Sequence, residues 1–354
     1  MAGADRGRTW GSVLAGLTAG RDADRQTASW AMREILDGAA TPAQIAGFVV
    51  ALRTKGETVE EISGLAETML DFATPVEIGA AAVDVVGSGG DRANTVNIST
   101  MAAVVAAGAG ARVVKHGNRA ASSACGAADV LEALGVVLDV APEEQERVVD
   151  AAGIAFLFAP LYHPALRHAA LVRRELGVAT VFNFLGPLAN PAQPGAQAVG
   201  VADARVAELM AGVLARRGHQ GMVVHGGDGL DELTTTTAST VWVHREGSVS
   251  RTTLDPLELG IPRADPADLV GGDPAHNAEI VRALLAGRTG PVRDIVLLNA
   301  AAALVAYEGP DAERLGEQLS AQLDVAREAV DSGAAARTLE TWVEATRSAR
   351  RARP

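Results

Sequence analysis

The sequence predicts a small helical domain ahead of a larger α/β domain with a mainly parallel central sheet. Three observations carry this reading. No strand signal appears before about residue 82. Beyond it, apolar runs of strand length alternate with helical segments, the pattern of a parallel sheet with helices on its faces. The chain has 354 residues, 48% hydrophobic and 21% charged, which suits about two soluble, globular domains.

The helical part declares itself through its ends. In "TPAQIAGFVVALRTKG", Thr41 is placed as N-cap, Pro42 at the first helical position and Gly56 just past the end. Ile45, Phe48, Val49 and Leu52 share one face. In "TVEEISGLAETMLDFA", Thr58 and Glu61 form a capping box, and Ile62, Leu65, Met69 and Phe72 make the apolar stripe.

Five short strands are expected next, in "VDVVG", "RVVKHGN", "IAFLFAP", "AQAVGVAD" and "GMVVHGG". Ala204 to Arg217 is one of the intervening helices. "STVWVHREGSVSRTTL" reads as a hairpin turning at Glu246-Gly247, and helices resume from about Pro274. The segment His163 to Gly177 is a further helix, with Pro164 at its start; its spacing does not say which domain it packs in. The basic C-terminal "RSARRARP" is expected to be a frayed, solvated tail.

A net charge of −12 argues against a nucleic-acid partner, which needs a positive face, but not against a small anion in a locally positive pocket. The lone cysteine, Cys125, fits a reducing cytoplasm. The start "MAGADRGRTW" has no signal core, and the apolar run around Met101 to Ala111 is too short to span a bilayer, so no membrane association is expected.

The chemistry gathers at strand ends. "VGSGGDRANTVNIST" follows the first strand and precedes a helix, so glycine backbone and a helix N-terminus could cradle phosphate; a plain turn capped by Asn97 is the bland alternative. It is neither a P-loop nor a dinucleotide loop, because no Gly-Lys-Ser/Thr occurs and Arg92 stands at the third glycine. "KHGNRAASSACGAAD" repeats the arrangement after the second strand, with Lys115 and Arg119 adding positive charge. Two such loops meet at the carboxyl edge of a parallel sheet and suit an extended, multiply charged phosphate ligand. His116 by itself reads more readily as a structural residue than as a base. "HGGDGLDELTTTT" sets Asp228, Asp231 and Glu232 at another strand end, either a solvated loop or a magnesium site. Arg173 and Arg174 lie mid-helix, and chemistry alone leaves open whether either clamps a carboxylate.

The stretches "GSGGDRANTVNIST", "KHGNRAASS", "VRRELGVATVFNFLGPLANP" and "DGLDE", in this order, resemble the anthranilate phosphoribosyltransferase family over roughly residues 10 to 345. Ser88 stands where the family has threonine, and Ala127 where it has serine. The resemblance implies a nucleoside phosphorylase/phosphoribosyltransferase-like fold: a helical domain of residues 1–78 plus about 164–190, hinged to an α/β domain of 79–163 plus about 191–346, with 347–354 as tail. It implies a homodimer joined through the helical domains. It also implies transfer of the phosphoribosyl group from phosphoribosyl diphosphate to anthranilate with Mg²⁺ as cofactor. Phosphoribosyl diphosphate positions are then Gly87, Gly90, Asp91, Thr95, Asn97, Ile98, Ser99, Thr100, Lys115, His116, Gly117, Asn118, Arg119, Ser122, Ser123 and Ala127. Gly87, Asn118 and Arg173 match the anthranilate positions. Ser99, Asp231 and Glu232 match the metal positions, and Lys115, Asp231 and Glu232 are the candidate catalytic residues.

Three other readings stay open at this level: a pyrimidine nucleoside phosphorylase using free phosphate, a transferase-like protein turned nucleic-acid binder, and a transferase for a related aromatic acid. The first would not need the clamp at Arg173. The second should have lost the pair Asp231-Glu232, which this chain retains.

Overall fold

The computed structural model describes residues 8–79, 81–120 and 123–351. Four helices come first: α1 (Trp10–Thr18), α2 (Arg25–Leu36), α3 (Pro42–Lys55) and α4 (Val59–Asp71). Helix α3 starts at Pro42 behind Thr41 as expected, and Gln44 returns the capping bond to the Thr41 N–H at 2.9 Å. Thr58 and Glu61 close the box at α4. The apolar positions Ile45, Phe48, Val49, Leu52, Ile62, Leu65 and Met69 are buried together, and Phe72 packs at their edge. Helices α2 and α4 touch at Gly64, where a Cβ would lie 2.3 Å from the Arg25 carbonyl oxygen. Only glycine fits that approach.

The α/β part follows as β1 (Val83–Gly87), α5 (Ile98–Gly108), β2 (Val113–Gly117), α6 (Ala127–Leu134), α7 (Gln145–Ala152), β3 (Ile154–Phe158), α8 (Ala159–Tyr162), α9 (Arg167–Leu176), β4 (Ala196–Gly200), α10 (Ala204–Arg216) and β5 (Gln220–Gly226). The hairpin β6 (Ser239–Arg245) and β7 (Ser248–Leu254) turns at Glu246-Gly247, both at positive φ, which matches the right-handed twist of paired strands. Helices α11 (Pro274–Leu285), α12 (Pro291–Glu308), α13 (Leu315–Asp331) and α14 (Ala334–Arg351) complete the chain. The seven strands run in the order β3-β2-β1-β4-β5-β6-β7. Neighbours are parallel from β3 through β5 and antiparallel from β5 to β7.

The segment expected as a frayed tail is helical as far as Arg351, the last described residue; residues 352–354 lie outside the described ones. Trp342 and Ala349 on its inner face are buried, which gives the helix a reason to continue.

Two buried clusters hold the molecule. One fills the space between the sheet and α5, α12, α13 and α14. The other joins α1–α4 to α9, to Phe182, Leu185 and Leu188, and to the inner face of α10. Through Val86, Val199, Val223 and Trp242 it reaches the second face of the sheet. The helix whose packing the spacing left open, α9, lies in this second cluster through Ala169 and Val172.

Candidate active site

In the strand order, β2 and β3 lie on one side of β1, and β4 and β5 on the other. That reversal opens a crevice beyond the carboxyl ends of the strands. A cavity of about 340 Å³ lies there, walled by the loops after β1 and β2, by Asp231 and Glu232 beyond β5, and by Arg173 from α9.

The first loop is fixed at both ends and open between. Ser88 N–H donates to the Gly200 carbonyl at 2.9 Å, and Gly89 N–H donates to Asp231 Oδ2 at 2.6 Å. Further on, Thr95 bridges to Val270, and Val96 N–H donates to the Leu269 carbonyl at 2.9 Å. Between these anchors Gly89, Gly90, Arg92 and Asn94 all have positive φ. Arg92 and Asn94 are not glycine, so the loop carries backbone strain of the kind met at ligand-binding turns. Among the described residues the Gly90 N–H has no hydrogen-bond acceptor. Gly87 sits so close to Asp231 that a Cβ would stand 2.4 Å from Oδ2.

Asn97 precedes α5 as expected, but its side chain does not cap that helix. Its Nδ2 donates to the Cys125 carbonyl at 3.0 Å, and its Oδ1 accepts from Asn277 Nδ2 at 2.9 Å. The second loop is folded around Asp129, which accepts from Gly126 N–H at 2.9 Å and Ala120 N–H at 3.0 Å.

Lys115 is buried; its Nζ donates to the Val85 carbonyl and, at 3.2 Å, to Ser99 Oγ. Burial pulls its pKa below the lysine range, against the pull of Asp84, Glu232 and Asp231. Burial and the neighbouring Asp91 push Asp231 up to about 7. Burial and Asp231 raise Glu232 well above the usual carboxylate range, while the Ser99 backbone N–H favours its charged form. The two carboxylates are thus short of positive charge. Among the described residues no three His, Cys, Asp or Glu groups form a metal cage. A hard cation holding few protein oxygens and completing its shell with phosphate and water fits such a pair.

Arg173 stands at the cleft edge over the ring of Phe182, 5.6 Å from its centroid. Among the described residues it has no carboxylate partner, and desolvation lowers its pKa even though much of the side chain meets solvent. Its charge faces the space shared with Asn118 and Asn183.

Of the expected site residues, Gly87, Gly90, Asp91, Thr95, Asn97, Ile98, Ser99, Lys115, His116, Gly117, Asn118, Arg119, Ser123, Ala127, Arg173, Asp231 and Glu232 line this one cavity. Thr100 does not; its hydroxyl is buried without a partner among the described residues. Ser122 lies outside the described residues. Arg119 lines the cavity, but its guanidinium is held by Asp129 at 2.9 Å and Glu132 at 2.5 Å, which also raise its pKa. His116 is buried, with Nδ1 3.2 Å from the Gly186 carbonyl; burial and His163 push its pKa down to about 3, so it is neutral. Asp228 separates from the other two acids and bonds Thr234 Oγ1 at 2.7 Å and Thr236, so it braces its own loop.

The sequence reading missed Asp84, Asn183, Asn190 and Asn277. Asp84 is fully buried in β1, accepting from His116 N–H at 3.2 Å and Asn190 Nδ2 at 2.9 Å. An acid inside the apolar run "VDVVG" was the available signal. Asn183 is exposed between the buried Phe182 and Phe184, and its Oδ1 accepts from Thr180 N–H at 2.9 Å.

Comparison with known proteins gives a consistent picture. Residues 12–73 match the helical bundle domain of a glycosyl transferase family, and residues 79–336 match that family's a/b domain. An anthranilate phosphoribosyltransferase of Thermobifida fusca is 58% identical over 341 residues, spanning 96% of this chain and 98% of the relative. One from Nocardioides sp. is 58% identical over 338 residues, 96% of this chain and 99% of the relative. The crystal structure of anthranilate phosphoribosyltransferase from Thermus thermophilus superposes with a TM-score of 0.87 at 41% identity, covering 95% of this chain and 99% of that one. The Saccharomyces cerevisiae enzyme in complex with PRPP and Mg superposes with a TM-score of 0.86 at 27% identity, covering 96% and 98%.

Proposed function

The chain belongs to the anthranilate phosphoribosyltransferase family, and on that premise we infer that it carries out the family's reaction. It transfers the 5-phosphoribosyl group of phosphoribosyl diphosphate to the amine of anthranilate and releases diphosphate, a step of tryptophan biosynthesis. The observation that supports this best is the meeting of two donor-rich loops, an undercompensated acid pair and an unpaired arginine around one cleft.

The residues divide the work by chemistry. We assign the diphosphate and 5'-phosphate to the backbone of Gly87, Gly90 and Asp91, to Thr95, to the first turn of α5 through Asn97, Ile98, Ser99 and Thr100, and to the loop from Lys115 through Ser123 to Ala127. Ser99, Asp231 and Glu232 fit Mg²⁺, which supplies charge neutralisation to the diphosphate when bound. Lys115 holds a positive charge beside the leaving group, and the backbone donors around it need no reorganisation as negative charge develops there. The amine of anthranilate is neutral at pH 7 and needs no base, so the protein's task is to hold it in line with the ribose carbon. Arg173 takes the carboxylate and Asn118 lies beside it; Gly87 completes this acceptor side. Burial keeps His116 neutral, which fits a reaction without an imidazolium.

Ser88 replaces the family's threonine at little cost: its hydroxyl accepts from Ala202 N–H at 3.2 Å, a bond either residue makes. Ala127 lacks the hydroxyl of the family's serine, and its place at the start of α6 leaves only backbone to the ligand.

We divide the chain into a helical domain, 1–78 plus about 164–190, hinged to an α/β domain, 79–163 plus about 191–346. The helical side bears the exposed apolar residues Val50, Leu171 and Val178, which supports a homodimer joined through it. Among the described residues no helix is long and apolar enough to cross a membrane, and the only cysteine is unpaired; both support a cytoplasmic location.

The test is a fluorescence assay of the purified chain with anthranilate, phosphoribosyl diphosphate and Mg²⁺. Anthranilate emission should change only with all three present. No reaction there, together with phosphorolysis of a pyrimidine nucleoside by free phosphate, would overturn the reading.

A further inference from the structure

Asn277 belongs to none of the motifs above and lies in α11, 180 residues along the chain from the loop it touches. It is 2% exposed, and both ends of its amide are used. Oδ1 accepts from Gly272 N–H at 2.7 Å, and Nδ2 donates to Asn97 Oδ1 at 2.9 Å. Asn97 passes the connection on, donating from Nδ2 to the Cys125 carbonyl at 3.0 Å. Two amides therefore tie the turn before α11 to the first phosphate loop, and that loop to the second. The same turn also pairs with the first loop through the backbone, as Gly271 N–H donates to the Asn94 carbonyl at 2.8 Å.

This arrangement has an effect on α5. Asparagine is among the strongest N-cap residues, its side-chain oxygen accepting a first-turn N–H. Asn97 stands in the N-cap position and makes no such bond, because its oxygen is taken by Asn277. In that first turn the Ile98 N–H donates to the Val96 carbonyl at 2.7 Å and the Ser99 N–H serves Glu232, so among the described residues the Thr100 N–H is the donor left for an anion.

We propose that Asn277 is a positioning residue for phosphoribosyl diphosphate: it draws Asn97 away from the α5 N-terminus and sets the spacing of the two phosphate loops. The proposal rests on the reading of those loops given above. Without Asn277, Asn97 falls back to capping its own helix and competes with the substrate.

The experiment is steady-state kinetics of Asn277→Ala, Asn97→Ala and the double variant, with titration of phosphoribosyl diphosphate into each. Asn277→Ala should raise the KM for phosphoribosyl diphosphate roughly 5- to 10-fold, the loss of a buried hydrogen bond. The KM for anthranilate should hardly move. The losses of the two single variants should not add in the double variant, since the competing cap is gone there. Asn277→Asp in alkaline buffer serves if the alanine variant does not fold: it keeps an acceptor for Gly272 and loses the donor to Asn97, so it should show the same selective shift. Equal shifts in both KM values, no shift, or additive losses in the double variant would overturn the proposal. Failure of the unmodified chain to bind phosphoribosyl diphosphate would instead overturn the reading of the loops.

Discussion

Two places in the molecule bury carboxylates beside a lysine, one in the helical segment and one in the cleft. Glu61 is fully buried and accepts from Ala23 N–H and Thr58 N–H at 2.8 Å, and from Thr58 Oγ1 and Lys55 Nζ at 3.0 Å. Burial pulls Lys55 down, but its hydrogen bonds to Asp22 and Glu61 carry it above the usual lysine range. Around Lys115 the balance is reversed. Asp231 has one backbone donor from Gly89, Asp231 and Glu232 repel each other, and both are pushed up while Lys115 is pushed down. Burial of charge is common to both, so it cannot mark function by itself. What separates them is completion: the chain satisfies Glu61, and it leaves the cleft acids for something that arrives from solution.

The comparison breaks first if the cleft acids behave like Glu61. Asp231→Asn with Glu232→Gln should lower turnover by ~10²-fold or more, on the scale of losing a preorganised electrostatic contact. The melting temperature should hold or rise, because the unpaired like charges oppose folding. A stable, fully active double variant would refute the metal assignment.

Glu61→Ala should do the opposite. It strands the Ala23 and Thr58 N–H groups and leaves Lys55 to Asp22 and the Gly56 carbonyl, and should cost about 3–5 kcal/mol of stability, the scale of a broken buried pair. Chemical denaturation measures this, and kcat at a temperature where the variant stays folded should be unchanged.

Asp84 sharpens the contrast through pH. Burial raises its pKa to about 6, so the folded state holds its proton more tightly than the unfolded one. For an acid raised in this way, its contribution to stability falls as pH rises from about 4 through 6. Asp84→Asn removes that loss. Relative to the unmodified chain the variant should therefore gain stability across this window, on the order of 3 kcal/mol, on top of a pH-independent cost for the mismatched Asn190 amide. Parallel stability curves for the two proteins would exclude the effect.

The smallest effect concerns Arg173, which has no carboxylate partner among the described residues. Arg173→Ala should raise the anthranilate KM by about 10- to 100-fold, roughly 1.5–3 kcal/mol, and leave phosphoribosyl diphosphate nearly unaffected. Arg173→Lys should restore it only in part, for want of two-pronged geometry. Arg174→Ala, one residue further round α9, should change neither value; the larger defect in that variant would transfer the role to it.

These sites were unequally legible. The capping box at Thr58 and Glu61 shows in sequence because its partners are three residues apart, yet the bonds from Ala23 and Lys55 that make Glu61 a hub do not. The two loops and "DGLDE" are contiguous, so their residues could be named before their geometry. Asp228 looked equivalent to Asp231 because spacing alone does not say which acid turns inward. Asp84, Asn190 and Asn277 act through partners 32 to 180 positions away. Such contacts follow from strand order and helix placement, which no local pattern encodes.

The second buried cluster has a consequence for the order in which the chain takes shape. The apolar faces of α1–α4 are covered by α9, by the segment around Leu185 and by α10, which ends at Arg216. On a ribosome those partners emerge long after Asp71 closes α4. At roughly 5–20 residues per second, the leading helices wait about seven to thirty seconds with their cover still unmade. Reciprocal caps on α1, α3 and α4 favour their helical form meanwhile, and a nascent chain stalled before α10 leaves these apolar faces open to chaperones and to aggregation.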